Sequence, residues 1–331
     1  MRSWGRKDAK YVMLCVHGLT RNAADFDFFA NYLLRVSHGN WRVVSIDVVG
    51  RGDSDWLYDK TQYSFFTYVT DVVTVIQKLR ETMPSDGKLF YIGTSMGGLI
   101  AICMCAGMLP LTQSPVDALI LNDIGPFVPR EGILLVQEYL RTAEVHFDNP
   151  EDAVSFQWNH YSPLFGKHGV DPTPTFGSPD GTTPRENPLR TVMALSGVYE
   201  DSKSEADYQA KYPDRDIERD RATGRYTGSG KWRPAYDHDG ICVNQLAEAK
   251  DVDLFGFFDN IKIPTVVLRG GKSELLREEH VRELSTHGPR ALEIVYPDAG
   301  HVPPLFLDED NALIWQWIQS TLKKLEAEKQ G

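Results

Sequence analysis

The chain has 331 residues, 42% of them hydrophobic, and carries 46 acidic against 35 basic side chains for a net charge of −11. That length and apolar content allow a large buried core, and the acidic field repels nucleic acid and anionic membrane surfaces, which leaves a small molecule as the expected partner. No apolar run reaches the ~18 residues that span a bilayer, and the opening "MRSWGRKDAK" has no apolar signal-peptide core, so a cytoplasmic protein is expected.

The first β-rich run, residues 11–16, leads straight into "VHGLTRNAADF", where His17 and Gly18 end the strand and Leu19 begins a loop whose backbone N–H can donate to a ligand. The second run, 43–46, is followed by "DVVGRGDSDW". Gly50-Arg51-Gly52 looks like part of a phosphate loop, but position 55 is Asp and no Lys-Ser pair follows, so a structural turn is the reading, with Trp56 and Tyr58 near a pocket rim. Val69, Val72, Val73, Ile76 and Leu79 then recur at helical spacing and make one apolar stripe for a sheet.

The third run, 89–92, opens "LFYIGTSMGGLIA", in which Ser95 stands between Gly93 and Gly97. A strand that turns at once into a helix strains its corner residue, and only small neighbours two positions away leave room for that. The corner hydroxyl is lifted out of the sheet, and the N–H of Met96 is left free at a helix N-terminus, where it stabilises negative charge. An ordinary glycine-rich turn is the plainer reading; a second donor, a histidine and an acid in the right order decide against it.

Strand 118–121 ends at Asp123 in "LILNDIGP", and about 140 residues separate it from the next strand, 265–268, where a crossover needs only about a dozen. The excess is read as a separate subdomain. It begins with a helical stretch, 131–160, passes through the Pro/Gly/Thr-rich "GVDPTPTFGSPDGTTPRENP", and continues as a polar, exposed segment up to "GSGKW". Its aromatics, Phe127, Trp158, Tyr161, Phe165, Trp232 and Tyr236, offer an apolar pocket roof, although each alone fits a simple packing role. After strand 265–268, Glu274 lies three residues beyond Gly271, with Ser273 as N-cap of a helix over "ELLREEHVREL". After the last strand, 292–295, "YPDAGHVPPL" puts His301 on a loop, and a final helix, 312–325, closes the chain. Cys15, Cys103, Cys105 and Cys242 fall on a strand, a helix and a loop with no pairing pattern or metal-ligand spacing, so free thiols and no metal or other cofactor are expected.

Strands alternating with helices give an α/β protein with a mostly parallel sheet flanked by helices. The series "HGLTRN", "DVVGRGDSDW", "GTSMGG", "NDIGP", "LRGGKSELL" and "AGHVPPL", in this order, resembles the capped, cofactor-free branch of the α/β-hydrolase superfamily over nearly the whole chain. The resemblance implies a core of residues 1–124 and 261–331, with a largely helical cap, 125–260, inserted between strands. It also implies two strands ahead of residue 11, for which only about ten residues are present here, so they are expected to be shortened or missing and residue 1 need not be the natural start.

The implied chemistry is that of a serine esterase: Ser95 as nucleophile, His301 as general base, and Leu19 with Met96 as the two backbone donors of an oxyanion hole. For the acid, most of the superfamily uses the loop after the penultimate strand. Counting from Gly270 gives Ser273, which cannot serve, and counting from Gly271 gives Glu274. A subset takes its acid from the strand after the elbow, which makes Asp123 the first choice and Glu274 the alternative. Trp56, Phe127 and Trp158 are the pocket candidates. The expected substrate is a carboxylic ester or similar acyl compound. A carbon–carbon bond, lactone or amide hydrolase on the same machinery is the alternative, and a non-catalytic binding protein on this scaffold is the third reading. A homo-oligomer is compatible with all of them.

Overall fold

The computed structural model describes the whole chain except residues 112–113, 143–145, 162–175, 178–183, 186–195, 246–247, 304 and 328–331, and, within helices and short strands, the side chains of residues 142, 158–161, 176–177, 184–185 and 243–245. Seven strands form one sheet: β1 (Arg2–Trp4), β2 (Tyr11–Val16), β3 (Trp41–Ile46), β4 (Lys88–Thr94), β5 (Ala118–Asn122), β6 (Thr265–Gly270) and β7 (Leu292–Tyr296). Their order is β1-β3-β2-β4-β5-β6-β7, parallel throughout except for the antiparallel β1–β3 pair. Six of these were legible as apolar runs. β1 lies ahead of residue 11 as a shortened strand of three residues, antiparallel to β3, its Ser3 paired with Val44.

The central strands are buried on both faces, as a parallel sheet covered by helices requires. On one face lie α1 (Asp27–Val36) and the final helix, Asp308–Ala327, which contribute Phe29, Leu33, Ile314 and Ile318 to one core cluster. On the other face lie α2 (Phe65–Thr82), whose Val69, Val72, Val73, Ile76 and Leu79 stripe is buried, and α3 (Met96–Cys105), buried on nearly all sides.

Between β5 and β6 the described elements stand outside the sheet. They include α4 (Arg130–Thr142), α5 (Pro150–Tyr161), a strand pair Val198–Glu200 with Trp232–Pro234, and α6 (His238–Gln245). Cys242 therefore sits on a helix rather than a loop, and all four thiols are free.

The polar stretch after Tyr199 is not simply exposed. Asp201 is fully buried and accepts from the N–H groups of Thr227 (3.0 Å) and Ser229 (3.1 Å), and buried Asp220 pairs with Arg215 at 2.6 Å and accepts from Tyr208 at 2.8 Å. These two carboxylates are internal struts, with partners 5 to 28 residues away along the sequence. This segment is fastened to the sheet by the turn after β3: the Gly52 N–H donates to the Ala235 carbonyl and the Asp237 N–H to the Gly50 carbonyl, both at 2.7 Å. Among the described residues no helix is long and apolar enough to cross a membrane.

Candidate active site

The turn from β4 into α3 puts Ser95 at φ +49°, ψ −112°, in the left-handed region that a side chain enters only under constraint. The constraint is close packing. A Cβ on Gly93 would overlap the backbone of Gly97, and a Cβ on Gly97 would strike the Val16 carbonyl, so strand and helix can meet at this angle only with glycine at both places. The Ser95 N–H is taken up by the Asn122 carbonyl at 3.0 Å. Met96 is the first residue of α3, so its N–H has no partner within the helix.

His301 reaches Ser95 from the loop after β7. Its Nε2 lies 3.1 Å from the Ser95 Oγ, and its Nδ1 lies 2.7 Å from Asp123 Oδ2. A carboxylate only accepts, so Nδ1 carries the ring proton and Nε2 is left to accept from the serine hydroxyl. Asp123 is fully buried and is fixed by three further donors: the Gly270 N–H on Oδ1 at 2.7 Å, and the Ser273 hydroxyl (2.6 Å) and Val302 N–H (3.2 Å) on Oδ2. Its backbone is left-handed, φ +55°, a region that Asp tolerates better than most residues. Asn122 completes the frame by donating to Thr94 Oγ1 (3.1 Å) and to the Pro303 carbonyl (3.3 Å), which ties the end of β4 to the His301 loop.

Glu274 is exposed and makes no hydrogen bond or ion pair among the described residues; it lies on the rim of the cavity beside Ser95. The helix expected to start after Ser273 begins only at Glu278, as α7 (Glu278–Leu284). Ser273 instead accepts from the Leu276 N–H at 3.1 Å while donating to Asp123. The position where the resemblance led one to look for an acid thus holds a hydroxyl that supports an acid coming from elsewhere.

Leu19 lies on the loop after β2, and a Cβ on neighbouring Gly18 would stand only 3.7 Å from that of Ser95. The loop is held from behind by His17, which is fully buried. Its Nε2 accepts from the Val48 N–H at 3.0 Å, so Nδ1 is the protonated nitrogen and donates to the Gly18 carbonyl at 2.7 Å. Burial, aided by the nearby Arg51 charge, lowers the pKa of this ring to about 4, so it stays neutral.

The cavity at Ser95 measures about 390 Å³, a volume suited to a small molecule. Leu19, Leu135, Val136, Tyr139, Leu275 and Val302 supply its apolar lining, and Arg21, Asp25, Lys272 and Glu274 its charged groups. Trp56 and Phe127, both read as pocket residues, are placed elsewhere. Trp56 is buried edge-on to Tyr199 with the Arg225 and Arg233 guanidinium groups over its ring, and Phe127 stacks on His280 with ring centres 4.7 Å apart. The Trp158 and Tyr161 side chains and Phe165 lie outside the described residues.

A family profile described as alpha/beta hydrolase fold matches residues 11–306. The chain is 31% identical over 300 residues to the 3-hydroxybutyrate-oligomer hydrolase of Cupriavidus necator, covering 91% of this chain and 85% of that protein. Among solved structures, a Rickettsia typhi protein superposes with a TM-score of 0.71 at 24% identity over 96% of this chain and 90% of its own. An alpha/beta hydrolase from Novosphingobium aromaticivorans superposes at 0.60 with 25% identity over 96% and 92%.

Proposed function

The chain belongs to the alpha/beta hydrolase family, and on that premise we propose that it cleaves carboxylic esters through an acyl-enzyme formed on Ser95. The observation that carries this reading is the unbroken hydrogen-bond relay from Ser95 Oγ to His301 Nε2 (3.1 Å) and from His301 Nδ1 to Asp123 (2.7 Å). His301 takes the hydroxyl proton as Ser95 Oγ attacks the ester carbonyl. The tetrahedral oxyanion is held by the N–H groups of Leu19 and Met96, each worth roughly 3 kcal/mol to the transition state. The imidazolium, steadied by ionised Asp123, then hands its proton to the departing alkoxide. Water, activated by the same ring, attacks the acyl-enzyme and releases the acid and Ser95.

Residues 125–260 are proposed to act as a cap that selects the substrate. A short ester of a hydroxy acid is the best-supported class: the Cupriavidus necator relative, 31% identical over 91% of this chain, is named for 3-hydroxybutyrate oligomers, and the mainly apolar cavity of about 390 Å³ suits one or a few such units. The four free thiols suit a reducing compartment, and we place the protein in the cytoplasm. The test is hydrolysis of 3-hydroxybutyrate dimers and trimers beside p-nitrophenyl esters of graded length, with organophosphonate labelling read by intact mass. One adduct, lost together with activity in Ser95→Ala, is expected. Labelling and turnover that survive that substitution remove Ser95 from the role.

A further inference from the structure

The geometry points to Arg51 as a positioning residue of the oxyanion hole, a buried cation that holds the Leu19 backbone at its carbonyl and packs on the Met96 side chain from behind. This rests on the Ser95 reading above and adds a residue to it. The sequence offers Arg51 only as part of a turn, yet the side chain is fully buried. Its Nε donates to the Leu19 carbonyl at 2.9 Å, and Nη2 lies 3.7 Å from Met96 Sδ, so one guanidinium touches both residues whose N–H groups would hold the oxyanion.

The remaining contacts supply no counter-anion. Nη1 donates to the Val49 carbonyl (2.8 Å) and to the Tyr68 hydroxyl (3.0 Å), and the guanidinium carbon stands 5.0 Å and 5.7 Å from the Tyr68 and Tyr63 ring centres. Among the described residues Arg51 has no ion pair with a carboxylate. Dipoles and ring faces make a buried cation tolerable, but a full negative charge is what it lacks. The negative charge that would form during turnover on the far side of the two residues it contacts, Leu19 and Met96, is the oxyanion.

Two consequences follow from these contacts. Holding the Leu19 carbonyl fixes the plane of the peptide after Leu19 and so limits rotation at the Leu19 Cα, while the Gly18–Leu19 peptide that carries the N–H is held at its own carbonyl by His17 Nδ1 and the Arg21 N–H. The uncompensated charge also favours the transition state over the neutral ester, which is differential binding of the kind that raises kcat. The backbone of Arg51 is itself clamped, bridging to Tyr236 between the two 2.7 Å bonds that join Gly50 and Gly52 to Asp237 and Ala235, so the brace is anchored on the inserted segment.

Arg51→Lys keeps a charge that is too short and too compact to span both contacts, and Arg51→Met removes the charge while filling the space. Both are read in four ways: kcat, KM, affinity for a trifluoromethyl ketone that forms a tetrahedral adduct on Ser95, and affinity for the product acid. Misplacement of the donors is expected to lower kcat by about 10- to 100-fold with KM within about threefold. Ketone affinity should fall in step with kcat/KM and product affinity should stay unchanged, with Arg51→Lys retaining more than Arg51→Met. Folded variants with wild-type kcat, or ketone binding that weakens no more than product binding, overturn the proposal. Should neither variant fold, Tyr68→Phe, which removes one acceptor of the guanidinium, takes their place, and wild-type ketone affinity in that enzyme overturns it equally. Failure of the Ser95 reading is seen beforehand, as wild-type protein that hydrolyses no ester or whose labelling survives Ser95→Ala.

Discussion

Replacing Asp123 by Asn keeps the size of the side chain and suits the left-handed backbone at φ +55°, so the perturbation is confined to hydrogen bonding. All four partners of the carboxylate donate to it. An amide has one accepting oxygen, so its NH₂ must face donors on one side. Facing Gly270, it would set nitrogen against nitrogen at the present 2.7 Å. Facing His301, it meets the Val302 N–H at the looser 3.2 Å, a Ser273 hydroxyl that can turn to accept, and an imidazole that can move its proton to Nε2. The second arrangement costs less, and it is the one that leaves a proton on the nitrogen meant to receive one from Ser95.

Turnover in Asp123→Asn should therefore fall by about 10³- to 10⁴-fold, up to ~5.5 kcal/mol in the barrier. Stability should fall by about 1–3 kcal/mol for the backbone donor left unpaired. Steady-state hydrolysis of a p-nitrophenyl ester, with sites counted by slow phosphonate labelling and folding followed by thermal unfolding, measures both. Glu274→Gln, altering an exposed carboxylate at the cavity rim, is the control and should stay within a few-fold of wild type. A folded Asp123→Asn enzyme within tenfold of wild-type kcat, or a Glu274→Gln enzyme with the larger loss, refutes the reasoning.

His17 gives the protein a specific acid sensitivity: the unfolded ring takes up a proton near pH 6.5 and the folded ring only near 4, so protonation favours unfolding. Stability from this ring is complete above pH 6.5, and on the order of 3 kcal/mol drains away as the pH falls to 4; urea unfolding of wild type and His17→Asn at several pH values should give converging curves, and parallel ones would count against it. Gly97→Ala should destabilise by roughly 1–3 kcal/mol or more, because the new methyl strikes the Val16 carbonyl at the root of the Leu19 loop. Wild-type melting temperature and activity in that variant would show that the β4–α3 contact gives way more easily than its geometry implies. Turnover should persist in EDTA, since three side chains and two backbone donors complete the proposed chemistry; loss on chelation that zinc restores would demand a different mechanism.

Much of the fold was legible because it is enforced locally. The apolar runs that became β2 to β6 are buried almost throughout, and glycine at 93 and 97 is required by contacts within one strand, one helix and the adjoining strand. The residues of β1 could not be assigned, because three mixed residues at a sheet edge carry no periodicity. Asp123 and Glu274 could be ranked only by resemblance, since their distances from His301 depend on strand register and on where α7 begins. The contacts of Ser273 with Asp123, of Asn122 with Thr94 and Pro303, and of Arg51 with Leu19, Tyr68 and Met96 reach across 17 to 181 positions, and no spacing rule records them. The polar segment from Asp201 to Ser229 misled because carboxylates satisfied inside a fold look, along a chain, like charges meant for water.

Ser95 and Asp123 leave the sheet from neighbouring strands, one residue beyond the Thr94–Asn122 pair. Their separation is therefore set by a ladder of backbone bonds at the ordinary spacing of adjacent strands rather than by the course of a loop. The loop after β6, relieved of holding the acid, contributes Lys272, Glu274 and Leu275 to the cavity wall, and only Ser273 within it touches the relay. For a lineage moving from one ester to another, those three positions form an adaptable patch beside a fixed engine. Their chemistry can be exchanged while proton transfer stays intact, and a combinatorial library restricted to them is the shortest route to altered substrate preference.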